Sequence, residues 1–383
     1  MENQIKSTSL SWLEIDGKNL LHNLNIIRKK ISKKVKICAV VKANAYGHGY
    51  ETITDILKNQ AIDFYAVHSF EEAVILSDLK VKPQIFIVGY VPLEQLKLAV
   101  EYGFHLIVYN IETVKKLKSL STSKTAKIHL KLETGTNRQG ITASDLPQFL
   151  KLIKNDKNIE LIGAATHYAN IEDTTDHSYA DYQLATYREM IVQIEKAGFK
   201  LKIKHTASSA ASLLFGKTHF DMIRYGISLY GLWPSKETYL SYRLAGGKNN
   251  LLKPALTWKT KITQIKKVPK GSFIGYGCTY RTTTNSRIAI LPIGYFDGYD
   301  RNISNLGYVL IRGQRAPVRG RVCMDIIMVD VTNIAGVHLE DEVVLLGRQR
   351  DEVITTEQMA GWAQTINYEI ISRISPLLPR IIV

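Results

Sequence analysis

The sequence predicts an α/β protein: an N-terminal (β/α)8 barrel over residues 1–245, followed by a mostly β C-terminal domain over residues 246–383. Three observations carry this expectation. Eight short apolar runs alternate with helical stretches, the pattern of a parallel sheet with its crossover helices outside. Polar residues (Lys42, Lys131, Arg138, His167, His205, Ser209, Arg224) fall at or just past the ends of those runs, where a closed barrel would gather them on one face. From about Lys236 the helical period gives way to alternating strands separated by turns. A chain of 383 residues is also too long for one ordinary core.

Ser9–Ile15 can extend either domain as a strand, so residues 1–15 are left open between them. Asn19–Ile31 places Leu20, Leu24, Ile27 and Ile31 on one helical stripe. Ile37–Val41 is a β-branched run that ends directly before Lys42. The next strands are Phe64–Val67, Ile85–Val88, Leu106–Val108, Ala126–Leu132, Ile159–Ala164, Leu201–His205 and Met222–Tyr225. Between them, helices are expected up to Leu57 and at Phe70–Leu79, Leu93–Tyr102, Ile111–Leu120, Asp145–Ile153 and Tyr182–Ala197. Glu71 and Glu72 favour the first turn of one helix through its dipole, and Asn110 is placed to cap another. The stretch S-K-E-T-Y-L-S-Y-R-L-A-G-G-K-N-N reads as a polar connection. Beyond it, Thr257–Val268 reads as one strand with a wet face. Further strands are expected at Arg287–Leu291, Tyr308–Ile311, Ala316–Val318, Ile326–Val331 and Glu342–Leu346, with a helix at Glu357–Gln364.

Composition excludes several classes. Hydrophobic residues at 45% and charged residues at 22% are ordinary for a globular protein. No apolar run approaches the roughly 20 residues that span a bilayer. The opening M-E-N-Q-I-K-S-T-S-L-S-W lacks a signal peptide's apolar core, so a cytoplasmic protein without membrane contact is expected. Lysine and arginine exceed the acids by 50 to 35, giving +15, but the lysines are scattered and no nucleic-acid motif accompanies them. Three distant cysteines, Cys38, Cys278 and Cys323, fit neither a disulfide framework nor a metal site. Cys38, inside an apolar strand, reads as core.

The chemistry begins at C-A-V-V-K-A-N-A-Y-G-H-G, Cys38 to Gly49. A lysine at the end of a central strand has an apolar-packed stem and an amine at the rim of a crevice. Burial there lowers an ammonium pKa towards that of a nucleophile or a Schiff-base lysine. Taken alone, Lys42 reads more readily as a solvent-facing strand cap. Gly47 and Gly49 permit a tight turn beside the phenol of Tyr46.

The string V-V-K-A-N-A-Y-G-H-G resembles the cofactor-lysine motif of the alanine racemases, pyridoxal-phosphate enzymes of fold type III. The resemblance covers essentially the whole chain and recurs in G-Y-G-C-T-Y, R-V-C-M-D and D-M-I-R-Y-G-I. It implies interconversion of L- and D-alanine by two bases, supplying D-alanine for bacterial peptidoglycan. Lys42 would bind pyridoxal 5'-phosphate covalently and serve as one acid–base residue; Tyr276, in G-Y-G-C-T-Y, would serve as the other. A phenol of pKa ~10 is a poor base at neutral pH and calls for a cationic neighbour, a place the resemblance gives to His167.

The resemblance also implies a homodimer in which Tyr276 reaches the other subunit's cofactor. Arg224 would face the pyridine nitrogen, where a guanidinium cannot readily share a proton; on local sequence alone it could instead pair with Asp221. Tyr46, Ser209, Tyr368 and the backbone at Gly226 and Ile227 would cradle the phosphate, with Ser208 standing where the family usually has Asn. Arg138 would meet the cofactor's phenolic oxygen and the substrate carboxylate, held by a carbamylated Lys131. Met324 would bind the carboxylate through its N–H. Tyr295, Asp297, Arg301 and Glu172 resemble entry-corridor residues, together with Tyr368. A racemase of broader substrate range, a fold-type III decarboxylase and a cofactor-binding regulatory barrel are the alternatives. The decarboxylase should lack the G-Y-G-x-T-Y context, and the regulatory barrel usually lacks the second domain.

Overall fold

The computed structural model describes residues 9–383. Residues 1–8, part of the segment expected to add a strand, lie outside the described residues. Two compact units form, and their boundaries cut across chain order. One unit contains Lys18–Ala43 and Thr54–Pro254; the other contains residues 9–17, Asn44–Ile53 and Ala255–Val383.

Strand β1 (Ser11–Ile15) belongs to the second of these. The first is built on eight parallel strands: β2 (Lys36–Val40), β3 (Phe64–Val67), β4 (Gln84–Ile87), β5 (His105–Val108), β6 (Ala126–Lys131), β7 (Ile159–Ala165), β8 (Ile203–His205) and β9 (Met222–Tyr225). They pair in the order β8-β7-β6-β5-β4-β3-β2-β9. The two ends of that ribbon are drawn together by Asp221 N–H donating to the Lys204 carbonyl (3.0 Å) and Arg224 N–H donating to the Ala207 carbonyl (2.9 Å). The result is a near-closed barrel of the kind expected for eight βα units. Its interior is packed with Cys38, Phe64, Phe86, Ile107, Ile203 and Met222. Helix Gly17–Lys30 buries Leu20, Leu24 and Ile27, the stripe that its spacing implied. Helix Phe70–Asp78 opens with a reciprocal capping box between Ser69 and Glu72.

Two local expectations differ from the structure. Asn110 does occupy the N-cap position of helix Ile111–Ser119, but its side chain makes no capping hydrogen bond. The supposed polar connection after Pro234 contains a helix, Lys236–Leu244, started by Ser235 Oγ accepting from Thr238 N–H at 2.8 Å. Only Thr238 of that helix is buried, so no apolar stripe announced it.

The other unit contains β10 (Leu256–Lys261), β11 (Gln264–Val268), β12 (Phe273–Ile274), β13 (Tyr280–Arg281), β14 (Ser286–Leu291), β15 (Tyr308–Ile311), β16 (Gln314–Pro317), β17 (Ile327–Asp330), β18 (Glu342–Gln349), β19 (Glu352–Ile354) and β20 (Arg380–Ile382). The main sheet runs β16-β15-β18-β10-β1-β20, with β19 on β18, and a second sheet runs β11-β14-β17. The single strand expected over Thr257–Val268 is therefore two strands in two sheets. Ile262 and Thr263 divide them: Ile262 N–H donates to the Asp341 carbonyl and Thr263 N–H to the Ile290 carbonyl. Trp258, Thr260 and Ile262 are buried, as the alternation implied. No helix among the described residues is long and apolar enough to cross a membrane.

Candidate active site

The carboxyl ends of the barrel strands carry the chemistry. Lys42 follows β2, Lys131 ends β6, Arg138 lies in the loop beyond it, and His167 follows β7. His205 ends β8, Ser209 starts the helix after it, and Arg224 lies in β9 with Gly226 and Ile227 just beyond.

Lys42 opens a turn of unusual hand. Ala43, Asn44, Ala45 and Tyr46 all have φ between 52° and 54°, so four non-glycine residues run left-handed in succession. Such a residue costs roughly 1–2 kcal/mol, which means strong local contacts must hold the turn. One of these is Glu72, whose Oε1 accepts the Ala43 N–H at 2.7 Å while Oε2 accepts the His68 N–H at 2.6 Å. Asn44 closes the far end, its carbonyl accepting from Gly49 N–H (2.9 Å) and its Oδ1 from Tyr50 N–H (3.1 Å). Gly47, at φ +81°, has no room for a side chain, since a Cβ would lie 1.9 Å from the Ile371 carbonyl oxygen. Arg380 secures the Gly47 carbonyl through Nη2 at 2.9 Å. Tyr46 and Tyr368 face each other with ring centroids 6.2 Å apart.

Burial, then the charge of Arg138, holds the Lys42 amine below the usual lysine range, opposed by Glu72 and Glu172. Burial also holds Lys131 well below its ordinary value, with Arg224 and Arg138 adding to the effect. A neutral amine at Lys131 is the form that can react with carbon dioxide. The E-T-G-T-N-R loop wraps the Glu133 carboxylate, which accepts the Gly135 and Thr136 N–H groups, both at 2.6 Å. Beyond β7, the His167 carbonyl accepts from Thr136 Oγ1 (2.6 Å) and Gln183 Nε2 (3.2 Å).

Among the described residues, Arg224 has no carboxylate as a hydrogen-bond acceptor. Its Nη1 donates to His205 Nδ1 (2.8 Å) and the His205 carbonyl (3.1 Å), and its Nη2 to the Thr166 (2.8 Å) and Thr206 (3.0 Å) carbonyls. A longer contact, 3.4 Å, reaches His167 Nδ1. Pairing with Asp221 does not occur: one Asp221 carboxylate oxygen accepts the Lys204 N–H instead. The surroundings of His167 disfavour the cationic form expected of it. Burial, with Lys131, Arg224, Arg138 and Lys42 all adding positive potential, pushes its pKa well down. A neutral His167 that accepts from Arg224 at Nδ1 carries its proton on Nε2.

Ser209 is buried, and its Oγ accepts from the N–H of Gly226 (3.0 Å) and of Ser228 (3.4 Å), which ties the two loops together. Next to it, the Ser208 hydroxyl is buried without a partner among the described residues.

In the β-rich unit, Tyr276 stands at the tip of the β12–β13 hairpin and is 74% exposed. Gly275 (φ 70°), Gly277 (φ 72°) and Cys278 (φ 50°) make the turn that projects it. The Met324 carbonyl accepts the Phe296 N–H and the Cys323 carbonyl accepts the Tyr295 N–H, both at 3.0 Å, so the corridor candidates Tyr295 and Asp297 share one loop cluster with the carboxylate-binding candidate Met324. Asp297 Oδ2 accepts the Gly294 N–H at 2.9 Å; burial raises its pKa, and Asp325 adds to that. Arg301 lies in the next turn, Arg301–Ile303. Glu172 belongs to the barrel unit, where its carbonyl accepts from Ser235 Oγ and Thr238 Oγ1. Sequence reasoning missed Glu72 as an anchor of the lysine turn, Glu133 as the organiser of its loop, and the buried His105 and His129 deeper in the barrel. No three His, Cys, Asp or Glu among the described residues are placed to hold a metal ion.

Comparison with known proteins agrees along the whole chain. The family model for the alanine racemase N-terminal domain matches residues 15–234, and that for the C-terminal domain matches residues 255–382. The alanine racemase of Leptospira interrogans is 39% identical over 381 residues, covering 99% of this chain and 97% of that protein. The alanine racemase of Halothermothrix orenii is 41% identical over 376 residues, covering 97% of each. The crystal structure of alanine racemase from Bacillus anthracis with bound L-Ala-P superposes with a TM-score of 0.91 at 37% identity, covering 98% of this chain and 95% of that one. The alanine racemase of Clostridium difficile 630 gives 0.90 at 34% identity, covering 98% and 96%. Matched in both of its parts and along nearly its full length, the chain belongs to the alanine racemase family.

Proposed function

We propose that the protein interconverts L- and D-alanine with pyridoxal 5'-phosphate as cofactor, as a homodimer whose sites are shared between subunits. The observation that carries this reading is the pairing, at one barrel mouth, of a lysine amine held below its usual range with an arginine that has no acidic hydrogen-bond partner among the described residues. The donor set suits the cofactor: Lys42 matches its aldehyde, Arg224 its ring nitrogen, and the partnerless Ser208 hydroxyl leaves a donor beside Ser209 for an anion. Tyr46, Tyr368, Gly226 and Ile227 complete the phosphate cradle in this reading.

When bound, pyridoxal phosphate supplies the electron sink that acidifies the substrate Cα–H. The residues supply the rest. Lys42 Nζ, held below the usual lysine range by burial and by Arg138, takes and returns the proton on one face. Tyr276 Oη works on the opposite face; its exposure on a hairpin tip suits delivery to a partner subunit. Nε2–H of a neutral His167 is a donor for the phenol oxygen, and the positive potential around it favours phenolate there. Arg224 would donate to the cofactor's ring nitrogen without giving up its proton. Arg138, fixed by a carbamate on Lys131, and the Met324 N–H bind the substrate carboxylate. Tyr295, Asp297, Arg301 and Glu172 line the approach. D-alanine made in the cytoplasm then serves peptidoglycan synthesis; three unpaired cysteines suit that reducing compartment.

The test is purified protein with L-alanine, L-serine and other L-amino acids, scored for the D-product and for the visible cofactor band. Lys42→Ala should abolish both the band and racemisation. Tyr276→Phe should keep the band and lose racemisation by orders of magnitude. Normal turnover by both variants would overturn the reading.

A further inference from the structure

Behind Arg224 the barrel core holds three more histidines that the reaction does not use. His105 starts β5, His129 lies within β6 and His205 ends β8; all are buried, at 3%, 0% and 0% exposure. They form one line. His105 Nδ1 is 3.0 Å from His129 Nε2, His129 Nδ1 is 3.1 Å from His205 Nε2, and His205 Nδ1 is 2.8 Å from Arg224 Nη1.

The protons along this line are fixed by elimination. A guanidinium only donates, so His205 Nδ1 must accept and a neutral His205 carries its proton on Nε2. That N–H donates to His129 Nδ1, which puts the His129 proton on Nε2, and this in turn donates to His105 Nδ1. Each ring has one allowed tautomer, and all three are the same. The line ends at His105 Nε2, which is buried without a partner among the described residues. Burial is the leading cause that keeps all three rings neutral, with Arg224 adding to it at His129 and His205.

The fold makes space for this arrangement. The β6–β7 register shifts between Ile128 and His129, the kind of irregularity that re-aims a side chain. Opposite, β7 carries Gly163, where a Cβ would lie 2.7 Å from His129 Nδ1. Phe64 and Phe86 wall the line from solvent, with ring centroids 5.0 Å from His105 and 4.6 Å from His129.

We propose that His129 and His105, acting through His205, are positioning residues for Arg224: a one-way relay of neutral imidazoles that fixes the His205 Nδ1 lone pair against the guanidinium. The inference rests on the reading in which Arg224 serves the cofactor's ring nitrogen. Without the relay, His205 can adopt its other tautomer and turn an N–H on Arg224, donor against donor. Aligned imidazoles polarise one another, so the acceptor offered to the arginine is stronger than a lone histidine would give.

The first experiment is long-range 1H–15N correlation on histidine-labelled wild-type protein at pH 7. All three histidines should show the Nε2–H tautomer; an Nδ1–H or doubly protonated pattern at His129 or His205 would overturn the proposal. This readout needs no turnover, so a wild-type protein that fails to racemise alanine would refute the functional reading while leaving the relay to be judged separately. The second compares His129→Phe, which removes both ring nitrogens, with His129→Asn, whose Oδ1 can still accept from His205. Phe should release the His205 tautomer, alter the cofactor spectrum and lower kcat by about tenfold, the scale of one hydrogen bond. Asn should restore the His205 tautomer and recover kcat to within about threefold. A His129→Phe protein with the wild-type His205 signal and kcat would overturn the proposal. If Phe does not fold, the wild-type and Asn spectra decide it.

Discussion

Glu72→Gln is the sharpest perturbation of the lysine turn. In the wild type one carboxylate accepts from Ala43 N–H at 2.7 Å and from His68 N–H at 2.6 Å, bridging the ends of β2 and β3. Gln keeps one carbonyl acceptor but points an NH2 group at the other donor, so one charge-assisted bond becomes a donor facing a donor. Hydrogen bonds to a charged group contribute about 1.5–3 kcal/mol; with water able to reach this site, the expected loss is about 2 kcal/mol. For a protein of this size that lowers Tm by about 2–3 °C. Ser69→Ala separates the two roles of Glu72, because it removes the helix cap (about 1 kcal/mol) and leaves the Ala43 clamp. The functional readout is the pH profile of Lys42 modification by an amine reagent, located by peptide mapping. The Glu72 charge raises the Lys42 pKa, so its loss should move the midpoint to lower pH, while Ser69→Ala should not move it. An unchanged Tm together with an unchanged midpoint in Glu72→Gln would refute the account of the turn.

Two further outcomes concern buried histidines and a crowded glycine. Burial pushes His48 and His105 down to about 4, so both stay neutral in the fold while the unfolded chain takes up their protons below about 6.5. The unfolded state then binds more protons, and stability falls between about pH 6.5 and pH 4 by up to ~3 kcal/mol for each residue; a urea midpoint that does not change between pH 7 and pH 4.5 would contradict this. Gly47→Ala sets a Cβ 1.9 Å from the Ile371 carbonyl oxygen at φ +81° and should cost more than about 3 kcal/mol, seen as lost soluble yield or a large drop in Tm. Gly216→Ala, with nothing within 4 Å of the added Cβ, is the matched control and should stay within about 0.5 kcal/mol.

The barrel was legible because parallel strands buried on both faces leave continuous apolar runs, and because its polar ligands sit where those runs stop. Lys42, His205 and Arg224 were visible for that reason. The left-handed turn was not: Ala43, Asn44, Ala45 and Tyr46 contain no glycine, and one of the contacts that hold them comes from Glu72, a residue whose place on its helix suggested only a favourable dipole. His129 was hidden as well, because its spacing in A-K-I-H-L-K does not reveal a register shift across to β7. In the β-rich part, Trp258, Thr260 and Ile262 gave the right buried face, but alternation continues smoothly through Thr263 although the chain changes sheets there. Helix Asn367–Ser372, which carries Tyr368, is too short for its period to stand out.

The placement of β1 decides how the gene can be divided. In the main sheet β1 lies between β10 and β20, antiparallel to the former and parallel to the latter, and β20 has no other neighbour among the described strands. A polypeptide starting at Ala255 would lose the strand joining these two and, with residues 44–53, the loop that Arg380 grips. The carboxyl-terminal third is therefore not a portable module, and shuffling it between relatives would have to carry two short amino-terminal pieces with it.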